Sequence, residues 1–277
     1  MPVTVADIIA CLDGIAPFSV AESWDNVGLL VGDQNRSVTS ILVALDPTSQ
    51  LLDEAISLGA DTVITHHPAL FKPLLSINTA DPTGIFLEKA LRARLTVVAC
   101  HTNLDSAEHG VNDALAERLG LIDLVPLVPA DQATSDGVGM GRIGRYAKPI
   151  TGGEFIARVL DVLGLPSCDT AGPLPQLVQT VALCGGSGSE LAEQALRRGA
   201  DLYLSAEIKH HTARWAEACG FCVIDGTHFA TEKPVVERLA RNLRDAFHQR
   251  GWQVTVHETT TETHPFVRMQ KTIQDNH

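Results

Sequence analysis

Three clusters of histidine and carboxylate residues stand out along the chain. His66-His67-Pro68 follows a short apolar stretch ending at Thr65. His101 and Asp105 follow another ending at Cys100, and His228 and Glu232 follow a third, from Phe221 to Asp225. Imidazole combined with carboxylate is a donor set that suits divalent Zn, Mn or Fe. Four histidines and two carboxylates are more than one tetrahedral ion needs. A pair of ions sharing a bridging carboxylate would use them economically. Taken singly, each cluster has an ordinary explanation: a surface His-His pair, an Asp105 that belongs to a turn, a Glu232 that favours a helix N-terminus. Their recurrence at the same place after three strands favours metal. His101 stays open at this point, as a ligand, a group behind the ligands or a proton shuttle.

The elements that must position these residues read as alternating strand and helix. Ile41–Leu45 is a buried strand, and Leu51–Leu58 follows with helical spacing. Asp61–Thr65 is a second strand, Thr83–Arg94 a helix, Leu95–Cys100 a third strand and Val111–Leu119 a short helix. This alternation predicts an α/β fold with mostly parallel sheets. In such sheets ligands bind at the carboxyl ends of strands, where all three clusters fall.

The chain also repeats itself. Gly59-Ala60-Asp61 before a strand and Thr65-His66-His67 matches Gly199-Ala200-Asp201 before a strand and Ser205-Ala206-Glu207. Val43-Ala44-Leu45 matches Val181-Ala182-Leu183, and His101-x-x-x-Asp105 matches His228-x-x-x-Glu232. A unit at roughly 41–120 thus recurs at roughly 180–245. Two related lobes follow, 1–125 and 126–250, with 251–277 as a C-terminal strand and tail of unassigned lobe. Residues 121–178 hold six prolines and read as less regular, and the polar end from 270 as frayed. Because Ala206 and Glu207 replace the His-His pair, one composite site between the lobes fits better than two equal ones.

Other features weigh less. Gly139-Met140-Gly141-Arg142-Ile143-Gly144 spells G-x-G-x-x-G, but no strong strand precedes it and no helix follows, so a dinucleotide site is not indicated. Arg142 and Arg145 read as a solvated face. Gly185-Gly186-Ser187-Gly188-Ser189 reads first as a tight strand-to-helix turn and second as a phosphate cradle. Trp24 reads as a packing residue, with Asp25 and Asn26 able to orient loops. His210 and His211 read as a solvated helix face, with Glu207 able to line the cleft. Cys219 and Cys222 lack the second pair that a zinc site needs and read as ordinary thiols.

Composition excludes whole classes. With 21 Lys and Arg against 33 Asp and Glu, the net charge is −12, a poor match to nucleic acid or anionic membrane. Hydrophobic residues at 45% exclude a mainly disordered chain, and no apolar run approaches the ~20 residues of a membrane span. The N-terminus has no basic region, so no secretory signal is read, and a cytoplasmic setting with six reduced cysteines is expected.

The segments Ser23–Leu29, Thr65–Pro68, His101–Asp105, Gly141–Gly144 and Gly226–Glu232 resemble, in order, the motifs of the NIF-three-like family, often labelled GTP cyclohydrolase I type 2. The resemblance runs from about residue 5 to 268. It implies two similar α/β lobes, a dinuclear metal site in the cleft between them and a hexameric ring. It also implies a ligand set of His66, His67, Asp105, His228 and Glu232, with Glu232 bridging two divalent ions and His101 behind the ligands. Two departures are visible: Thr227 stands where many members have Gly next to His, and Ser205-Ala206-Glu207 where many have Thr-Gly-Glu or Thr-Gly-Asp. The label implies a hydrolase in which a metal-activated water opens the guanine imidazole ring of GTP. His101 or Glu207 would then move the proton. The competing expectation is a non-catalytic metal-binding regulator or scaffold.

Overall fold

A computed structural model describes residues 2–130, 136–267 and 269. The segment from 270 that was expected to fray lies outside these.

The first lobe runs α1 (Val5–Ile15), β1 (Gly28–Val31), β2 (Ser40–Ala44), α2 (Ser49–Leu58), β3 (Thr62–Thr65), α3 (Pro82–Arg92), β4 (Thr96–Ala99), α4 (Thr102–Ser106) and α5 (Val111–Arg118). Two strands follow, β5 (Ile122–Pro129) and β6 (Gly139–Thr151). The same run of elements then returns as α6 (Gly152–Leu163), β7 (Asp169–Ala171), β8 (Leu177–Ser187), α7 (Ala192–Arg197), β9 (Leu202–Ala206), α8 (His210–Cys219), β10 (Cys222–Asp225), α9 (His228–Glu232) and α10 (Pro234–Arg250), with β11 (Thr255–Glu258) last.

The repeat is physical as well as topological. Both lobes open on a helix with a capping box, Thr4 with Asp7 and Thr151 with Glu154, which satisfies otherwise orphaned N–H groups. Strands β2, β3 and β4 are parallel, and β1 closes their edge antiparallel to β4. Strands β8, β9 and β10 are parallel, and β7 closes their edge antiparallel to β10. The Gly-Ala-Asp motif plays the same part twice. Gly59 and Gly199 take left-handed backbone after a helix, with φ of 67° and 78°. The alanines are buried. Asp61 then accepts from the Thr39 and Ser40 amides, and Asp201 from those of Gln179 and Thr180, so each aspartate fixes the start of the neighbouring strand.

The sheets are ordered β1-β4-β3-β2-β11 and β5-β6-β8-β9-β10-β7. Residues 121–178 are more regular than their prolines suggested, because β5 and β6 form a long antiparallel pair. Pro126 and Pro129 are tolerated because β5 is an edge strand, where a missing N–H costs no ladder bond. Pro149 falls where the β6–β8 register shifts.

The last helix of each repeat reaches into the other lobe. α5 gives Leu115 and Leu119 to the core beneath the second sheet. α10 packs Val235, Leu239, Leu243 and Phe247 with Ile8, Leu12 and Ile41 of the first. Each such side chain contributes roughly 1.5–3 kcal/mol when fully buried, so the exchange locks the lobes together. It brings the carboxyl ends of β3, β4 and β10 to one place. Among the described residues no helix is long and apolar enough to cross a membrane.

Candidate metal centre

The residues after β3 stay in register with β2, since the His66 and His67 amides donate to Ala44 and Leu45 carbonyls at 3.1 and 2.9 Å. This presents two adjacent imidazoles at the sheet's carboxyl edge. α4 begins right after His101 and carries Asp105, while α9 begins at His228 and ends at Glu232. The four histidines and two carboxylates singled out by spacing converge here from both lobes. Donor atoms lie within 4.8 Å of one another in three groups: His66, His67 and His101; His67, His228 and Glu232; His66, Asp105 and Glu232.

All four imidazoles are held the same way. Nδ1 of His66 donates to the Cys100 carbonyl at 2.9 Å. Nδ1 of His67 donates to Asp46 at 2.7 Å, that of His101 to Asp25 at 2.9 Å and that of His228 to Glu207 at 3.0 Å. A hydrogen bond at Nδ1 fixes the tautomer and leaves the Nε2 lone pair for an electrophile, the usual support of a metal-bound histidine.

The middle of the cluster asks for a cation. Nε2 of His67 and of His228 lie 3.3 Å apart, an arrangement two lone pairs cannot hold without a positive charge between them. Both are 3.1 Å from Glu232 Oε2. His66 Nε2 is 3.6 Å from Asp105 Oδ1 and 3.7 Å from Glu232 Oε1. His66 Nε2 and Asp105 Oδ1 are buried without a hydrogen-bond partner. Such groups are costly unless something satisfies them, and the donor chemistry fits a divalent ion.

The electrostatics agree. Burial disfavours a charged His67, but hydrogen bonds to Asp46 and Glu232 outweigh it and raise the imidazole to about 10. The bond to Glu232 raises His228 to about 9 against the effect of burial. Burial pushes Asp105 above the ordinary carboxylate range. Glu232 is buried too, yet His228 and His66 hold it well below that range. Without an ion, protons do the neutralising.

Several supports were not read from sequence. Asp46, which holds His67, follows β2 at the strand end, the same position as the histidine clusters, and that position was its one signal. Glu262 accepts from the Leu45 and Asp46 amides at 2.8 and 2.6 Å and pairs with Lys233, so one carboxylate braces both sides of the centre. Asn112 donates to the Asp105 carbonyl and accepts from the Gly185 amide, tying the lobes together beneath it.

The glycine run leads from β8 into the turn before α7, as its first reading expects. Gly185 and Gly186 lie in β8, and a Cβ on Gly186 would stand 2.0 Å from Glu232 Oε1, so the glycine makes room for that carboxylate. Arg142, expected on a solvated face, is 2% exposed. It grips both Asp113 oxygens and the Ala107, Gly139 and Gly141 carbonyls, because the kinked G-x-G-x-x-G backbone of β6 turns those carbonyls toward it. Arg145 is half exposed and pairs with Asp123. Trp24 does not pack inside: it is 56% exposed and leans on Phe71 and His101 at the rim of the site. Asp25, beside it, does orient a loop, holding His101 and Thr102. His210 and His211 lie exposed on α8, outside the donor groups.

Two residues near His228 have left-handed backbone without being glycine: Glu207, with φ of 52°, and Thr227, with φ of 62°. A β-branched residue such as Thr227 is strained there. The two His-x-x-x-carboxylate segments are also offset by one residue, since His101 caps α4 whereas His228 is the first residue of α9.

Two interlocked α/β lobes from one duplicated unit, with a histidine–carboxylate cluster at their junction, define a class of two-lobed α/β proteins. The chain belongs to the Duf34/NIF3 (NGG1p interacting factor 3) family, whose model matches residues 3–265. A GTP cyclohydrolase 1 type 2 homolog of Streptomyces coelicolor is 34% identical over 265 residues, covering 95% of this chain and 93% of the relative. The crystal structure of a Staphylococcus aureus hypothetical protein superposes with a TM-score of 0.91 at 32% identity, covering 97% of this chain and 100% of that one. A Bacillus cereus protein related to NIF3 gives 0.90 at 25% identity, covering 96% and 99%.

Proposed function

We propose that the protein is a metal-dependent hydrolase whose centre would hold two divalent ions. His66 and Asp105 would hold one, His67 and His228 the other, and Glu232 would be shared between them. The observation that carries this reading is the position of Glu232. Its Oε1 faces His66, its Oε2 faces His67 and His228, and its oxygens belong to two separate donor groups. A bound pair of ions supplies Lewis acidity to a water and to an electrophilic carbon. The chain's own residues do the rest. Asp46 and Glu207 hold the His67 and His228 rings in the donor tautomer. His101, anchored through Nδ1 by Asp25, keeps Nε2 free to take and return a proton. Glu207 is 58% exposed, which offers a second route for that proton.

The names of the relatives support a purine-type ring as the electrophile, and the family resemblance supports assembly as a ring of six. The test is metal per chain by elemental mass spectrometry on protein purified without tag or chelator, beside Glu232→Ala. About two ions per chain, falling in the variant, with water-dependent turnover lost in the variant, is the expected result. No bound metal after loading with Zn, Mn and Fe under reducing conditions would overturn the reading. Metal without turnover across a screen of nucleotides, nucleosides and bases would favour a scaffold instead.

A further inference from the structure

A cleft of about 900 Å³ opens beside the metal centre, and its edge is formed by Glu207, Thr227 and His228. Its volume is that of a small-molecule site. Its walls are Leu163, Leu165, Phe229 and Val236 of the second lobe and its junction, with Pro265 and Phe266 of the C-terminal segment. His228 lines the cleft and also stands 3.1 Å from Glu232, so a molecule filling the cleft has one end at the donor cluster.

Charge decides what that molecule is. Among the described residues, the two cations lining the cleft are already engaged, Arg118 by Glu237 and Lys233 by Glu262. Among the same residues three carboxylates besides Glu207 line it: Asp225, Glu237 and Glu258. Both Asp225 oxygens accept backbone amides, from Ile208 and Thr227. The cluster brings no surplus positive charge. Asp25, Asp46, Asp105, Glu207 and Glu232 contact its histidines, so even two divalent ions leave one negative charge over. The last turn of α6 and the first turn of α10 both line the cleft, so the repulsion of anions by one helix end is offset by the attraction of the other.

We propose that this cleft is the substrate site of the centre, that it takes an uncharged and largely apolar ring compound, and that it excludes a nucleoside triphosphate. This rests on the hydrolase reading above and narrows it: the ring is presented without its phosphates.

The test uses two probes with one ring skeleton, neutral N-phenyl-1-naphthylamine and anionic 8-anilino-1-naphthalenesulfonate, titrated by fluorescence into metal-loaded full-length protein. The neutral probe should bind at one per chain at least about tenfold tighter than the anionic one, and millimolar GTP should not displace it. Leu165→Arg should weaken the neutral probe at least about tenfold and narrow or reverse the preference, with metal content unchanged. Phe266→Ala, at an exposed position, should weaken it less and serves if the arginine variant does not fold. Loading with Mn(II) should broaden the proton resonances of the bound probe. Equal affinity for the two probes, displacement by GTP, indifference to both substitutions, or binding that appears only on dilution of an assembled state would each overturn the proposal. Metal content measured on the same samples separates this from failure of the hydrolase reading, which shows as absence of ions whatever the probes do.

Discussion

Replacing Gly186 by alanine should empty the metal centre while leaving the chain folded. Gly186 has φ of +65°, and a Cβ there would lie 2.0 Å from Glu232 Oε1 and 3.4 Å from His228 Nε2. Ordinary contact begins at 3.4 Å, so the carboxylate must retreat by about 1.4 Å. It has little room to do so, being 3% exposed at the end of a five-residue helix between His66, His67 and His228. The backbone penalty for a non-glycine residue in this region is roughly 1–2 kcal/mol. At roughly 2–4 °C per kcal/mol for a chain of this size, that lowers Tm by a few degrees. Gly220 is the control, with φ of +66° and nothing within 4 Å of its Cβ. Gly220→Ala carries the same backbone penalty and meets no ligand. Gly186→Ala should therefore melt below Gly220→Ala when ion-free, by the cost of displacing Glu232, and the two should differ in metal. Gly186→Ala should lose at least the roughly 10–100-fold in affinity typical of disturbing a group behind the ligands, and Gly220→Ala should lose none. Calorimetric titration with Zn or Mn, followed by elemental analysis after dialysis, reads the difference. Equal metal affinity in the two variants would refute the place given to Glu232.

Three other outcomes follow from the same geometry. Thr227→Gly removes a β-branched residue from left-handed backbone, a strain of order 1–3 kcal/mol, partly offset by the roughly 0.5–1 kcal/mol that glycine costs in the unfolded state; a net gain in Tm of a few degrees by calorimetry is expected, and a fall would mean that the Thr227 contact with His264 outweighs the strain. Arg142→Met strands the buried Asp113 and should cost about 3–5 kcal/mol in urea unfolding, while adding Asp113→Leu should recover part of the loss rather than add to it. In the ion-free chain His67 and His228 titrate near 10 and 9, so their protonated forms contribute stability that is complete below pH 6.5 and lost as pH rises through those values. Ions bind the neutral rings, so loading releases protons and tightens with pH; the gap in Tm between loaded and chelated protein should widen from pH 6 to 9, and a gap that narrows would count against both imidazoles as ligands.

The parts of this architecture that a sequence can announce are those whose cause is local. Strand and helix alternate with legible periods. Gly-Ala-Asp recurs because each residue has the same task in both lobes, the first ending a helix, the second packing under it and the third reaching back to the strand before that helix. The histidine clusters were legible because strand ends place them alike. What stayed hidden depends on partners far along the chain. Asp46 means nothing until His67 stands beside it, and Glu262 nothing until the C-terminal segment returns to β2 across more than two hundred residues. Arg142 was misread because an arginine in a glycine-rich stretch looks solvated until Asp113 and three carbonyls surround it. Trp24 packs, as its type suggests, but at the rim against Phe71 and His101, partners that sequence does not reveal.

The asymmetry of the two lobes explains why duplication produced one centre. The position that holds the donor imidazole of His67 in the first lobe holds Glu207 in the second, and Glu207 donates nothing to the middle of the cluster. It orients His228 instead, as Asp46 orients His67. One lobe thus presents a donor imidazole and the other uses the same position as a support. The one-residue offset between the His-x-x-x-carboxylate segments has a matching effect. In the first lobe the histidine falls on the cap and is drawn to Asp25, while Asp105 reaches inward. In the second the segment starts a residue later relative to its helix, so His228 and Glu232 sit four apart on one face and both reach the junction. A symmetric dimer of single lobes would lack this division of labour. With identical halves, either two His-His pairs would crowd one cleft, or two supports would face each other with no donors to hold.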